Sequence, residues 1–363
     1  MEPKKNNKSL EDFDPSGVLV KNGNIFGLPF SYESAKVVII PVTWDVTVSN
    51  LAGTSNGPKA ILDYSTQIDY FDFDVEDAYK LGIYLLPFED EWQKNNEQFR
   101  PMASEYINFL ENGGNPETDK KFAHILSKIN KACLALKYNI YDKSIQLLED
   151  KKLPIVLGGE HSCPLGLLEA LSEKYEDFGI LQIDAHADLR AAYEGFTYSH
   201  ASIFYNALKN CENISKLISV GVRDVCQDEI DFINQNKKRI KAYFDNDLSN
   251  EIYSGNSNWK SICKDIVNQL PKHVYVSFDI DGLSPHLCPA TGTPVPGGLE
   301  FNQANMLLKE LILQNKTIIG ADLSEVSVGK YPIENMNSEI NANVGSRILF
   351  KLCNLMGRSN QLI

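Results

Sequence analysis

Short runs of aliphatic and β-branched residues recur along this chain, at 37–42, 154–157, 179–183, 217–222, 274–278 and 317–323, mostly separated by segments of helical periodicity. The runs are apolar almost throughout rather than at every second residue. A strand needs that pattern only when both its faces are covered, and helices between successive strands are what allow those strands to lie parallel. The chain is therefore expected to be α/β, with three layers, α/β/α, around a mostly parallel sheet. Open sheets of this kind gather ligands beyond the carboxyl ends of their strands.

Residues with ligand chemistry stand at those ends: Gly158-Gly159-Glu160-His161-Ser162, Asp184-Ala185-His186-Ala187-Asp188 and Ser277-Phe278-Asp279-Ile280-Asp281. In an extended backbone, side chains at i and i+2 share a face, so Asp184, His186 and Asp188 converge if the strand runs through them, as do Asp279 and Asp281. Each cluster has a plainer reading. The glycines before His161 can make a tight turn with an exposed histidine, and two carboxylates in a turn after a strand are unremarkable. Asp184, His186 and Asp188 are harder to explain without a cation, because their charges would repel one another. Taken together, four carboxylates and two imidazoles suffice for two divalent ions if two carboxylates bridge and a solvent oxygen completes the bridge as nucleophile. Four negative charges cancel two divalent cations, and such a site suits a cationic electrophile that resists bulk water, such as a guanidinium.

The 363 residues fit one large α/β domain or two ordinary ones, and a hydrophobic content of 43% supplies a sizeable core. A formal charge of −13 opposes binding to nucleic acid or an anionic membrane. The seven cysteines are dispersed, with no Cys-x-x-Cys pair, and read as reduced thiols of a cytoplasmic protein. The basic start, Met1 to Lys8, is followed by Ser9-Leu10-Glu11-Asp12 rather than an apolar run, so no signal peptide is expected. Residues 1–35 are turn-rich and read as an arm over the surface or over a neighbouring subunit, with a free disordered tail as the alternative. Residues 36–360 read as a single domain. The Glu- and Asn-rich stretch 88–118 reads as a surface insertion, followed by a long helix from Asp119 to Lys151.

These ordered motifs, with Thr291-Gly292-Thr293-Pro294 and Gly297-Gly298, resemble the ureohydrolase family of arginases and agmatinases from about Lys36 to the C-terminus. The resemblance implies an arginase-like fold and two metals, manganese first and nickel as the alternative. One would be held by His161, Asp184, Asp188 and Asp279, the other by Asp184, His186, Asp279 and Asp281. Asp188-Leu189-Arg190, Tyr193-Glu194-Gly195 and Tyr198-Ser199-His200 look like the agmatinase branch, because arginases carry an Asn and a Ser-rich loop there to hold an α-amino acid.

The resemblance gives His200 proton transfer to the leaving amine, suiting a side chain that titrates near neutrality. It gives Glu325 the orientation of the guanidinium through paired charge-assisted hydrogen bonds. Asp188 would take a proton from the tetrahedral intermediate, and Thr54 or Thr293 would shape the pocket. Ser284 and Ala290 depart from the family's usual aspartate and glycine, so the loop there is expected to differ in shape. The expected reaction is hydrolysis of agmatine to putrescine and urea by a homotrimer or homohexamer. Trp44-Asp45-Val46-Thr47 and Asn341 to Arg347 resemble a subgroup that includes guanidine hydrolases, so free guanidine, or a guanidino acid such as guanidinobutyrate, is the rival substrate. A single-zinc deacetylase and a catalytically silent binding protein are further rivals. Retention of every ligand position opposes both.

Overall fold

The computed structural model describes residue 10 and residues 13–363. Its sheet comprises β1 (Val37–Pro41), β2 (Ile83–Leu85), β3 (Leu153–Leu157), β4 (Phe178–Ile183), β5 (Ile214–Val222), β6 (Ile240–Phe244), β7 (His273–Asp279) and β8 (Thr317–Ser324). The helices are α1 (Gly57–Tyr64), α2 (Asp90–Glu111), α3 (Lys120–Glu149), α4 (Leu165–Lys174), α5 (Ile203–Asn210), α6 (Gln227–Gln235), α7 (Asp245–Tyr253), α8 (Trp259–Asn268), α9 (Phe301–Leu313) and α10 (Met336–Ser359).

Alternation along the strands produces two cores. In β1, Val37 and Ile39 face one core while Val38 and Ile40 face the other, and β3 repeats this with Ile155 and Leu157 against Val156. The first core is closed by Ile61 of α1, Ile262 of α8, Leu307 of α9 and Leu352 of α10. The second is closed by Tyr106 of α2, Leu136 of α3, Leu168 of α4 and Phe204 of α5. The three-layer expectation therefore holds, and every strand pairing is parallel.

The strands lie in the order β2-β1-β3-β8-β7-β4-β5-β6. This order brings β3, β8, β7 and β4 together at the centre although they are distant in sequence. Their ends are level, with Leu157 opposite Leu323, Asp279 opposite Ser324 and Ile183 opposite Phe278. The loops leaving the carboxyl ends of these four strands therefore meet at one place.

Stretch 88–118, expected to be a surface insertion, is mostly the regular helix α2, which buries Trp92, Ala103, Tyr106 and Ile107. Its apolar positions 92, 99, 103, 106, 107 and 110 do follow a helical spacing, diluted by the Glu, Asn and Gln between them. The long helix falls where expected, with the Asp119 side chain accepting from Lys121 N and Phe122 N at its start. The edge strands β2 and β6 gave no clear sequence signal. The β2 edge is covered by Asn24, whose side chain donates to Ile83 O and accepts from Leu85 N, both at 3.0 Å, in the manner of a neighbouring strand. Residues 1–9, 11 and 12 of the expected arm lie outside the described residues. From Phe13, which packs on Tyr70 and Tyr79, the arm lies against its own chain. Among the described residues no helix is long and apolar enough to cross a membrane, and the seven cysteines are unpaired.

Candidate active site

The carboxyl ends of β3, β4, β7 and β8 deliver His161, the Asp184 to Asp188 segment, Asp279 with Asp281, and Glu325. The means of convergence differs from the expected extended backbone. β4 stops at Ile183. Asp184 Oδ1 then accepts the His186 N–H at 2.7 Å, turning the chain, and Asp188 adopts a left-handed φ of 54°. After β7, Asp279 Oδ1 accepts the Asp281 N–H at 2.9 Å and Asp281 lies in a short 3₁₀ turn, Ile280–Gly282. Local carboxylate-to-backbone hydrogen bonds, which aspartate forms readily, bend each segment so that its second acid faces inward.

His161 Nδ1 lies 3.1 Å from Asp184 Oδ2, 2.9 Å from Asp188 Oδ2 and 3.3 Å from Asp279 Oδ2. The atom is buried, yet none of these contacts has hydrogen-bond geometry. His186 Nδ1 lies 3.1 Å from Asp281 Oδ2 and 3.6 Å from Asp184 Oδ1. Asp184 thus presents one oxygen to each histidine group. Donor atoms of His161, Asp184 and Asp188, and of Asp184, His186 and Asp281, come within 4.8 Å of one another. Burial and the Asp184 charge push the Asp188 carboxyl up to about 7. Asp279 is raised well above the carboxylate range by burial and by the charges of Asp281, Asp184 and Glu325. Acids crowded in this way ionise together only when a cation shares them.

The surroundings fit such a cation. Ser277 Oγ donates to Asp322 Oδ2 at 2.6 Å, so at 2.9 Å from His161 Nε2 it can only accept. The His161 proton therefore sits on Nε2 and the Nδ1 lone pair faces the carboxylates, the tautomer a metal requires. Asp322 is held by Tyr275 OH at 2.8 Å and Ser324 Oγ at 3.0 Å. Gln182 Nε2 donates to Asp184 Oδ2 at 2.8 Å. The sequence motifs gave no role to Gln182, Tyr275, Ser277 or Asp322. The signal available was that each is a polar residue inside an otherwise apolar strand.

Glu325 has a φ of 62°, is 5% exposed, and is raised well above the usual range by burial and by Glu160. A left-handed glutamate is strained, and here the surroundings impose it. Its N–H donates to Gly159 O at 2.8 Å, its carbonyl accepts from Thr291 Oγ1 at 2.9 Å, and its Oε1 accepts the His161 N–H at 2.9 Å. Oε2 adjoins Gly292, where a Cβ would stand 3.4 Å away. Thr293 Oγ1 lies 3.4 Å from Asp281 Oδ2. Thr54 is buried with an unpartnered hydroxyl and touches none of these groups through a hydrogen bond.

His200 opens a 3₁₀ turn and donates its backbone N–H to Thr47 Oγ1 at 3.2 Å, with the Tyr193 ring edge-on at 5.8 Å. Burial, the largest cause, holds it below its ordinary 6.5, so it stands neutral at pH 7 rather than near its midpoint. Beyond Asp281, Arg223 donates to Asp281 O at 2.6 Å and Val295 O at 3.0 Å, fixing the loop in which Ser284 and Ala290 depart from the family pattern.

A parallel α/β sheet bearing a histidine and carboxylate cluster suited to cations, with a further carboxylate beside it, supplies the groups that a metal-dependent hydrolase uses. The sequence matches the model of the arginase family over residues 35–354, and the chain belongs to that family. It is 27% identical over 335 residues to N(1)-aminopropylagmatine ureohydrolase of Synechocystis sp., covering 91% of this chain and 92% of the relative. It is 28% identical to agmatinase of Halalkalibacterium halodurans, covering 86% and 91%. The agmatine ureohydrolase structure of Thermoplasma volcanium superposes with a TM-score of 0.67 at 21% identity over 92% and 93% of the two chains, a likeness of fold. The chain is thus a ureohydrolase of the agmatinase-like branch, acting on C–N bonds of linear amidines.

Proposed function

We propose that this enzyme hydrolyses a cationic guanidino compound to urea and an amine, with agmatine as the substrate. Glu325 carries the reading: its Oε1 is engaged by His161 N–H, while Oε2 accepts no hydrogen bond among the described residues and lies beside the cation-binding cluster. A carboxylate so fixed matches the planar N–H edge of a guanidinium. His161, Asp184, Asp188 and Asp279 would hold one ion, and Asp184, His186, Asp279 and Asp281 the other. Bound divalent ions, manganese or nickel, supply Lewis acidity and a water made nucleophilic at neutral pH.

The chain's own groups do the rest. Glu325 turns the guanidinium carbon toward the cluster. Asp188, placed against His161 by its left-handed backbone, takes the proton released as water adds. His200, neutral, relays a proton to the leaving nitrogen, and Thr293 fixes Asp281 and lines the pocket.

Free guanidine is the second reading, and one observation favours it. Leu51 N donates to Gly292 O at 3.4 Å, and a Cβ on Gly292 would stand 3.4 Å from both Leu51 O and Glu325 Oε2, so two loops meet beside the carboxylate and leave little width for a long substituent. Urea release from agmatine, N(1)-aminopropylagmatine, guanidine and 4-guanidinobutyrate, with manganese and with nickel, separates the readings. Turnover of agmatine above the others supports the first and preference for guanidine the second. Urea from none of them refutes both.

A further inference from the structure

The loop between β1 and α1 contains a proton arrangement that the proposed reaction does not use. Glu160 is fully buried. It accepts from Thr47 N at 2.8 Å, Thr47 Oγ1 at 2.8 Å and Ser162 Oγ at 2.6 Å. The single hydroxyl hydrogen of Thr47 is thereby spent. What Oγ1 has left are two lone pairs. One accepts the His200 backbone N–H at 3.2 Å, and the other lies 3.5 Å from His200 Nδ1.

An oxygen with no hydrogen to give can meet a ring nitrogen favourably only when that nitrogen carries one. Turning the hydroxyl toward Nδ1 instead would strip a donor from a buried carboxylate, the costlier arrangement. We propose that Thr47, anchored by Glu160, is a positioning residue that holds His200 with its proton on Nδ1 and its lone pair on Nε2. The inference rests on His200 being the proton relay of the proposed reaction. In this tautomer Nε2, which has no protein hydrogen-bond partner among the described residues, is the atom that takes a proton and gives it to the leaving nitrogen.

Helix α2 completes the arrangement from outside. Asn96 accepts from Asp45 N at 2.7 Å and donates to Asp45 Oδ1 at 2.8 Å, while Asp45 Oδ2 accepts from Gly53 N at 2.8 Å. Arg100 donates to Val46 O at 3.0 Å and to Val48 O. The residues on both sides of Thr47 are thus fixed, and its hydroxyl keeps its distance from the imidazole.

The test is ¹⁵N nuclear magnetic resonance of the full chain labelled at histidine and loaded with diamagnetic zinc, with the His200 signals assigned by their loss in His200→Asn. The expected spectrum has a protonated Nδ1 and an unprotonated Nε2. Thr47→Val moves the proton to Nε2, and Thr47→Ser keeps the wild-type pattern. In the active metal form, Thr47→Val lowers kcat for urea release about tenfold, a fraction of what a positioned proton donor contributes. KM stays close to wild type, and Thr47→Ser recovers kcat. A wild-type His200 protonated on Nε2, or a Thr47→Val protein with unchanged tautomer and kcat, overturns the proposal. The spectrum needs no turnover, so absence of urea release would refute the proposed reaction separately.

Discussion

Gly292→Ala tests the substrate orientation assigned to Glu325. The position does not require glycine for its backbone, and an added Cβ meets Glu325 Oε2 and Leu51 O at 3.4 Å and Val48 Cγ1 at 3.6 Å, which is ordinary van der Waals contact. The variant should therefore fold with a thermal midpoint near wild type. Function is a different matter. A guanidinium N–H must approach Oε2 to about 2.7–2.9 Å, and the methyl group occupies that side of the oxygen. Oε1 already serves His161 N–H at 2.9 Å and offers no full replacement. Losing one charge-assisted hydrogen bond costs about 1.5–3 kcal/mol, so kcat/KM should fall roughly 10- to 150-fold. If the bond is equally strong before and during reaction, the change appears in KM. Initial rates of urea release across substrate concentration, beside thermal unfolding of the same preparation, measure both quantities. A folded variant with kcat/KM within about twofold of wild type would refute the assignment.

Burial, reinforced by Glu111 and opposed by Arg100 and Arg190, pushes Glu194 from its ordinary 4.5 up to about 7. The folded protein then holds this proton more tightly than the unfolded chain, so the stability it contributes is full below about pH 4.5 and is lost as pH rises through about 7. Discounted for partial exposure, the effect is about 1 kcal/mol. Glu194→Gln should gain about 2 °C over wild type at pH 8 and nothing at pH 5 by calorimetry, and an equal difference at both pH values would contradict this. Gly159→Ala would put a Cβ 1.9 Å from Trp44 O, backbone that cannot yield. A loss of about 3 kcal/mol in denaturant unfolding is expected, and a wild-type midpoint would be the contrary result. Manganese or nickel at a hundredfold excess over its Kd should stabilise the chelator-treated protein by about 2.7 kcal/mol. The shift should vanish in Asp184→Asn, whose carboxylate reaches both histidine groups, whereas an unshifted wild-type midpoint would argue against the ion sites.

The sequence by itself determined the layer architecture and the location of the chemistry. Runs such as 154–157 and 274–278 are apolar throughout, which only strands covered on both faces sustain, and ligand residues come directly after them. Helix α3 was legible because its periodicity is long and capped by Asp119, whereas α2 was obscured by polar residues between its apolar positions. His161, Asp184, His186, Asp188, Asp279 and Asp281 were candidates in the sequence because three such clusters at successive strand ends are together hard to explain without cations, whereas Glu325 was a candidate only through the resemblance to the ureohydrolases. Tertiary structure decided how they meet. Adjacency of β3, β8, β7 and β4 is a long-range property of strand order that no local window contains. The Asx turns at Asp184 and Asp279 follow a local propensity of aspartate, whereas the left-handed backbones of Asp188 and Glu325 run against propensity and are held by the tertiary structure around them. The charge state of His200 and the partners of Thr47 and Asp322 likewise arise from burial and three-dimensional proximity. A linear order of residues does not carry either of these.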